Sequence, residues 1–488
     1  NAVIHDAYYW GRVGFRAAWI SVTQVSLVVL LAGKINIIGI LIGSSHERLN
    51  WLHRWVARTL FICVTIHGAF FLADWVRADF VTLELEMMPM VKYGLGSWGI
   101  LCWTNITGLA PFRRMAYEIF VIQHLACAAI LLWLLHQHVP IYAMHNIWIA
   151  IGFVTFDKVA YYLYFAYRNF SRRRPPSELP NDKASLPNKI SKPRALAWRA
   201  GYRAEIGAMD SEVTIITIKD ITFSWRPGQH LYIRIPMLGV IESHPFTISN
   251  ASRLCNEPIP SDVKLVIRVH SGFSRRLHNK ALAARPGVPV VMKAFIAGPF
   301  GNPPAWNTFE TVLLISASTG ASFTVPILES ILMYPGCVSQ LRFLLLIQQW
   351  CHCDAYLKTL EALASQVENF RGISIRIEIA VSKEFPGDPK DAEILECSTA
   401  PAALGNNGKT DSPARGNMVR FSFGRASLSE FILEPIEKAF GETMVAVCGG
   451  KPLTSDVRNI IAKISDDRAV HKGTGAQDIC LFIEEFAF

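Results

Sequence analysis

Charge is scarce in this chain. Asp, Glu, Lys and Arg make up 18% of its 488 residues, while 51% are hydrophobic. A soluble globular protein carries about 25% charged residues, so this composition excludes a wholly cytosolic enzyme and a disordered tail. Ten cysteines are present, and none falls in a segment expected on the extracellular side of the membrane. That argues against a secreted disulfide scaffold and for free thiols. There is no internal repeat, and the small-residue loop at 316–323 is not a full G-x-G-x-x-G. The chain opens at Asn1 without a Met or a signal peptide, as a fragment or processed chain would.

The net charge of +9 is localised. Residues 171–203 hold 9 basic and 2 acidic side chains, whereas residues 204–488 hold 27 and 29. A short basic stretch directly after an apolar segment reads as a cytoplasmic juxtamembrane linker beside anionic lipid, not as a nucleic-acid interface.

Five apolar stretches fill the first third, at about 17–43, 55–75, 93–112, 117–139 and 145–167. Each approaches the roughly 20 residues that cross a bilayer as a helix. Arg48, Arg54 and Arg58 mark one turn, Arg113 and Arg114 another, and Arg168 with Arg172 to Arg174 the last. The alternate loop, 74–92, carries Asp74, Asp79, Glu84 and Glu86. The positive-inside rule then places the basic turns and everything after Arg168 in the cytoplasm. Five spans leave Asn1 outside, with room for a further upstream span.

Ionisable residues within membrane helices are functional candidates. Here they form two matched pairs: His53 and His67 on one span, His124 and His138 on another, each 14 residues apart. Fourteen residues turn a helix through about 1,400°, within roughly 40° of whole turns, and advance about 21 Å. Each helix therefore shows two imidazoles on one face, and the two helices run parallel because one span separates them. Facing each other, they make two stacked sites with one imidazole from each helix. Two axially ligated haems fit that arrangement; zinc or copper needs more ligands at each level. His136, at a spacing of 12, lies on a different face and is the rival to His138. His145 begins the next span as an interfacial residue. Met87, Met88 and Met90 in the outer loop read first as hydrophobic contacts, with soft copper ligation as the alternative.

From Trp198 the texture changes to β-branched runs, among them 213–218, 231–235 and 263–269, which read as a small antiparallel barrel. Arg226-Pro-Gly-Gln-His230, followed by His244-Pro245-Phe246-Thr247, has the turn and extended backbone with which flavin-binding barrels line an isoalloxazine. Gly272 and Ser274 precede a short helix whose free N–H groups suit a pyrophosphate. Gly298-Pro-Phe-Gly301 makes a tight turn out of the barrel. From about 308 strand and helix alternate as a parallel α/β layout, with strands at 311–315, 341–347 and 443–447 and a helix from Pro326 to Met333. The loop holding Ser316, Thr319, Gly320 and Ala321 suits a dinucleotide pyrophosphate, and Cys448-Gly449 ends a second strand at the ligand crevice. The terminal Phe488 could stack on a flavin ring or pack as the end of a final strand. Cys351-His-Cys353 lacks the further ligands of a metal site. Residues 384–418 read as a flexible surface insertion.

The order of matched histidines, His-Pro-Phe-Thr, Gly-Pro-Phe-Gly, Ser-Thr-Gly-Ala-Ser-Phe and Cys-Gly resembles the ferric reductase / NADPH oxidase superfamily of flavocytochromes b. Thr319 to Pro326 is most similar to fungal ferric-chelate reductases. The resemblance covers roughly residues 12–488. It implies a multi-domain membrane protein: a transmembrane haem bundle over 1–170, a basic linker at 171–197, an FAD-binding β-barrel at 198–301 and a ferredoxin-reductase-like NADP domain at 302–488. It assigns His53 with His124 to an inner b-type haem and His67 with His138 to an outer one. His244 to Thr247 would match the FAD motif, and Ser316 to Ser322 with Cys448 and Gly449 the NADPH motifs. The implied activity passes electrons from cytosolic NADPH through FAD and two haems to extracellular ferric chelates or cupric ions. That would serve metal uptake at the plasma membrane, beside a permease/oxidase system. A superoxide-producing oxidase and a non-catalytic membrane relative are the alternatives. Two departures stand out: Ala317 and Ser318 occupy positions where relatives often have two glycines, and Trp350 stands where an arginine is frequent.

Overall fold

The computed structural model describes residues 9–173, 197–209, 212–239, 242–252, 261–284, 288–348, 354–366, 372–382, 419–424, 426–471 and 479–485. Two compact units divide between Ala166 and Tyr167.

The first unit is helical: α1 (Tyr9–Ala32), α2 (Ile37–Ile42), α3 (His46–Arg77), α4 (Val81–Met87), α5 (Pro89–Thr107), α6 (Ala110–Met115), α7 (Tyr117–His138) and α8 (His145–Asn169). Among the described residues, α1, α3, α7 and α8 are long and apolar enough to cross a membrane. Helix α5 has 19 residues, but Lys92, Ser97 and Asn105 dilute its apolar character. Many large apolar side chains point outward, Ile119, Ile122 and Leu125 among them, each more than half exposed. Lipid, not water, suits such a surface. Inside, Val22, Val25, Leu60, Leu101, Ile147 and Ala150 form a small core.

The expected spans at 17–43 and 93–112 are each broken. After Ala32 the chain turns, and Asn36 caps α2 by accepting from the amides of Ile38 and Gly39. Asp157, from α8, accepts from the Ile35 amide at 2.9 Å, so a distant carboxylate satisfies backbone that the break exposes. At the second site Gly108 ends α5, Leu109 is extended, and Pro111 sits in the first turn of α6, where its missing N–H is not needed.

The second unit holds a short antiparallel ribbon, β1 (Phe170–Arg173) with β2 (Ala197–Ala200), then a barrel and an α/β layer. The barrel strands are β3 (Tyr202–Ala208), β4 (Val213–Ile221), β5 (His230–Arg234), β6 (His244–Thr247), β7 (Ser261–Arg268) and β8 (Val290–Phe300), in the order β6-β5-β8-β3-β4-β7. Strand β8 serves two neighbours, pairing with β3 through its first half and with β5 through its second. The edges nearly close: the Ser249 amide bonds the Lys264 carbonyl, and Ser249 Oγ accepts from Val266. Alternate side chains such as Ile206, Ile216, Ile218, Leu231 and Ile233 point inward. Helix α9 (Phe273–Leu282) plugs the core with Phe273 and Leu277.

The α/β layer contains β9 (Thr311–Ala317), α10 (Ala321–Met333), β10 (Gln340–Ile347), α11 (Asp354–Gln366), β11 (Ser374–Val381), β12 (Val419–Phe423), α12 (Leu428–Glu437), β13 (Thr443–Gly449), α13 (Lys451–His471) and β14 (Ile479–Glu485). All six strands are parallel, ordered β12-β11-β10-β9-β13-β14. Val312 and Leu314 face one layer of helices, Leu313 and Ile315 the other. Burial on both faces is why this strand reads as one apolar run. The strand order reverses between β9 and β13, which makes their carboxyl ends the topological switch point where such sheets bind ligands. Helix α10 starts five residues earlier than expected. Pro326 sits inside it, buried, and forgoes a single backbone bond.

Candidate functional site

The four membrane imidazoles meet in two pairs. His53 and His124 have ring centres 6.4 Å apart, and His67 and His138 have theirs 6.1 Å apart. A metal–nitrogen bond of about 2.0 Å on each side, plus roughly 1.1 Å from nitrogen to ring centre, would set two imidazoles sharing one metal about 6.2 Å apart. Both pairs fit that separation. Three of the rings are also fixed in tautomer. His53 Nδ1 lies 2.9 Å from the Val28 carbonyl, His67 Nδ1 3.0 Å from Gly14, and His138 Nδ1 2.8 Å from Met90. A carbonyl only accepts, so Nδ1 carries the proton and Nε2 keeps the lone pair a metal needs. His124 rests on Phe120, and its Nδ1 is buried without a hydrogen bond among the described residues.

His136 belongs to another surface. Its ring meets Trp148 of α8 edge-on at 5.5 Å, and Gln137 Nε2 lies 3.3 Å from its Nδ1. Around the second pair lies a cavity of about 690 Å³, lined by His67, His138 and mainly apolar side chains. That is within the roughly 300–1,000 Å³ of cofactor pockets. Gly94 of α5 makes this pair possible. A Cβ there would stand 2.6 Å from Cε1 and 2.8 Å from Nδ1 of His138.

In the barrel, His244 pairs with Ile233, Pro245 with Tyr232, Phe246 with Leu231 and Thr247 with His230. The His244 ring stacks on Phe273 with centres 4.4 Å apart. The turn Arg226 to His230 meets the end of β8, where Gly298 to Phe300 continue the strand instead of making the expected tight turn, through Gln229: its Oε1 accepts from the Arg226 amide, and its Nε2 donates to the Gly301 carbonyl at 2.9 Å. Both Gly298 and Gly301 have positive φ, +135° and +96°, which side-chain-bearing residues resist. Gly272, at φ +67°, precedes α9, and Ser274 Oγ accepts from the His270 amide at 2.9 Å. This region thus brings together the β5–β6 pair, the glycine-containing end of β8 and the N-terminus of α9, whose free N–H groups suit a pyrophosphate.

At the switch point, Cys448 of β13 pairs in register with Ser316 of β9. Both are buried. Burial, with Glu484 nearby, pushes the Cys448 thiol well above its usual range, so it is a neutral S–H at physiological pH. A Cβ on Gly449 would meet Leu453 at 2.8 Å. Ser318, Thr319 and Gly320 form a single 3-10 turn leading into Ala321, the first residue of α10. Beneath this turn, Tyr356 of α11 bonds Ser322 Oγ at 2.6 Å and the Thr319 carbonyl at 3.4 Å. Phe488, Trp350 and Cys351 to Cys353 lie outside the described residues. No motif read from the sequence singles out Gly94 or Tyr356, since their partners lie 44 and 34 residues away.

Paired imidazoles inside a membrane bundle, continued in one chain by a flavin-type barrel and a nucleotide-type sheet, define a membrane-bound oxidoreductase. Three family profiles match in succession: "Ferric reductase like transmembrane component" over residues 17–135, "FAD-binding domain" over 202–304 and "Ferric reductase NAD binding domain" over 309–462. The chain belongs to the ferric reductase superfamily. It is 26% identical over 332 residues to the "Probable cell surface ferric reductase kap2" of Aspergillus oryzae, covering 64% of this chain and 40% of that one. Similarity to "Ferric/cupric reductase transmembrane component 7" of Saccharomyces cerevisiae is 26% over 319 residues, or 64% and 46% of the two chains. With "Ferric reductase transmembrane component 4" of the same yeast it is 22% over 488 residues, or 94% and 61%. The chain therefore spans about half the length of these relatives.

Proposed function

We propose that this chain is the electron-transferring core of a fungal-type transmembrane metalloreductase, carrying electrons from cytosolic NADPH to ferric chelates or cupric ions outside the cell. The observation that carries this reading is the pair of imidazole sites at 6.4 and 6.1 Å. In the flavin and two b-type haems the reading invokes, a two-electron donor meets one-electron carriers. The protein's part is to hold and orient.

His53 with His124, and His67 with His138, would hold the two haems, and the carbonyls of Val28, Gly14 and Met90 keep three of these rings in the tautomer that leaves Nε2 free to ligate. His244 to Thr247, Gly272, Ser274, Gly298 and Gly301 would hold FAD, with Phe488 at its ring. Ser316, Thr319, Gly320, Ala321, Cys448 and Gly449 would hold NADPH, and the neutral Cys448 thiol adds no charge beside the nicotinamide. The membrane is the plasma membrane in this reading, the second unit cytoplasmic, the physiological setting metal uptake with a permease/oxidase system.

The test is anaerobic stopped-flow mixing of the full-length protein in nanodiscs, first with NADPH and then with ferric citrate. Flavin bleaching, haem reduction and reoxidation by the chelate is the expected sequence. Haem reoxidised by dioxygen alone would make the protein an oxidase. No hydride transfer to flavin would make it a non-catalytic relative.

A further inference from the structure

The wall of the outer cavity carries one feature that haem ligation does not use. Among its lining residues Glu84 is the sole carboxylate, and no Lys or Arg faces it. Glu84 Oε2 is buried and accepts no hydrogen bond among the described residues. A carboxylate oxygen buried without a partner, on a side chain that is otherwise half-buried, is costly unless a cation or donor joins it. Met88 and Met90 line the same cavity, Met88 with 45% of its surface exposed. Met88 follows Glu84 by one helical turn, its amide bonding the Glu84 carbonyl at 3.0 Å. Met90 accepts from His138 Nδ1 through its own carbonyl at 2.8 Å. The neighbouring Met87 points away, 73% exposed, and does not line the cavity.

We infer that Glu84, Met88 and Met90 form a transient acceptor site for a copper ion beside the outer imidazole pair. The inference rests on the metalloreductase reading and specifies its substrate. The hard carboxylate oxygen receives the cupric ion, and the soft thioethers favour the cuprous product. One NADPH and two cupric ions give NADP⁺, one proton and two cuprous ions, each copper taking one electron. A single carboxylate with two thioethers is a weak ligand set for the divalent ion, which suits a site that must release what it reduces.

Two measurements on the full-length holoprotein in nanodiscs test the site. In steady-state assays with NADPH and CuCl₂, Glu84→Gln is expected to raise the cupric KM at least tenfold, while Met87→Leu leaves it at the wild-type value. Separately, cuprous affinity is read without turnover by competition with bathocuproine disulfonate. The volume-conserving Met88→Leu/Met90→Leu variant is expected to lose one cuprous ion per chain, and Met87→Leu none. Unchanged cupric KM in Glu84→Gln overturns the proposal, as does unchanged cuprous stoichiometry in the double variant. Loss of a haem from Glu84→Gln also overturns it, since Glu84 would then serve the haem. Because the competition assay needs no electron flow, a protein inactive with NADPH would sink the metalloreductase reading and leave the copper site separately decided.

Discussion

Gly94→Ala should remove one haem and spare the other. The new Cβ would lie 2.6 Å from His138 Cε1 and 2.8 Å from Nδ1, so ring or helix must yield by about 1 Å to reach ordinary contact. The ring is not free to swing, because Nδ1 is held 2.8 Å from the Met90 carbonyl. Metal–ligand distances tolerate only about 0.2 Å. Overpacking costs about 1–3 kcal/mol and the lost hydrogen bond about 1 kcal/mol, so the outer site should weaken by one to three orders of magnitude. Gly99→Ala on the same helix is the control, since a Cβ there meets nothing within 4 Å and alanine favours helix. Haem per flavin, from pyridine haemochromogen and released FAD, should fall from two to one in Gly94→Ala and stay at two in Gly99→Ala. Two haems retained in Gly94→Ala, or equal losses in both, would refute the packing argument.

His138→Ala should likewise abolish one haem, whereas His136→Ala should keep both and disturb only the Trp148 contact; difference spectra of the two variants decide. Ser318 sits at φ +50°, which costs a side-chain-bearing residue about 1 kcal/mol. Ser318→Gly should therefore raise the melting temperature of the nucleotide-domain transition by about 2–4 °C, and a lowered melting temperature would count against strain there. Arg342 and Lys438 hold the Glu434 carboxyl down at about 2. A depressed folded pKa contributes stability above the unfolded value of about 4.3 and loses it as pH falls toward 2. Glu434→Gln should flatten that part of the acid-denaturation curve, by a modest amount because the side chain is 39% exposed.

What was legible in the sequence depended on how locally each feature is determined. The 14-residue spacing of the imidazoles survives into the structure because helical periodicity alone places them. Strands β9 and β13 announced themselves as apolar runs because both faces are buried. The break after Ala32 was missed because the carboxylate that stabilises it, Asp157, lies 122 residues away. Gly94 looked like any helical glycine until His138 was set against it. Ser318 was noted as a departure from glycine, but only the backbone shows why glycine suits the position. The methionine run was legible as a pattern, yet which of the three line the cavity depends on how α4 and α5 meet.

The most direct test of the central claim is a dithionite-reduced minus oxidised spectrum of the full-length protein, with haem and FAD counted on the same sample. Two low-spin b-type haems per FAD, falling to one in either His67→Ala or His138→Ala, is the predicted result. A flavoprotein without haem, or a haem complement indifferent to all four histidines, would contradict it.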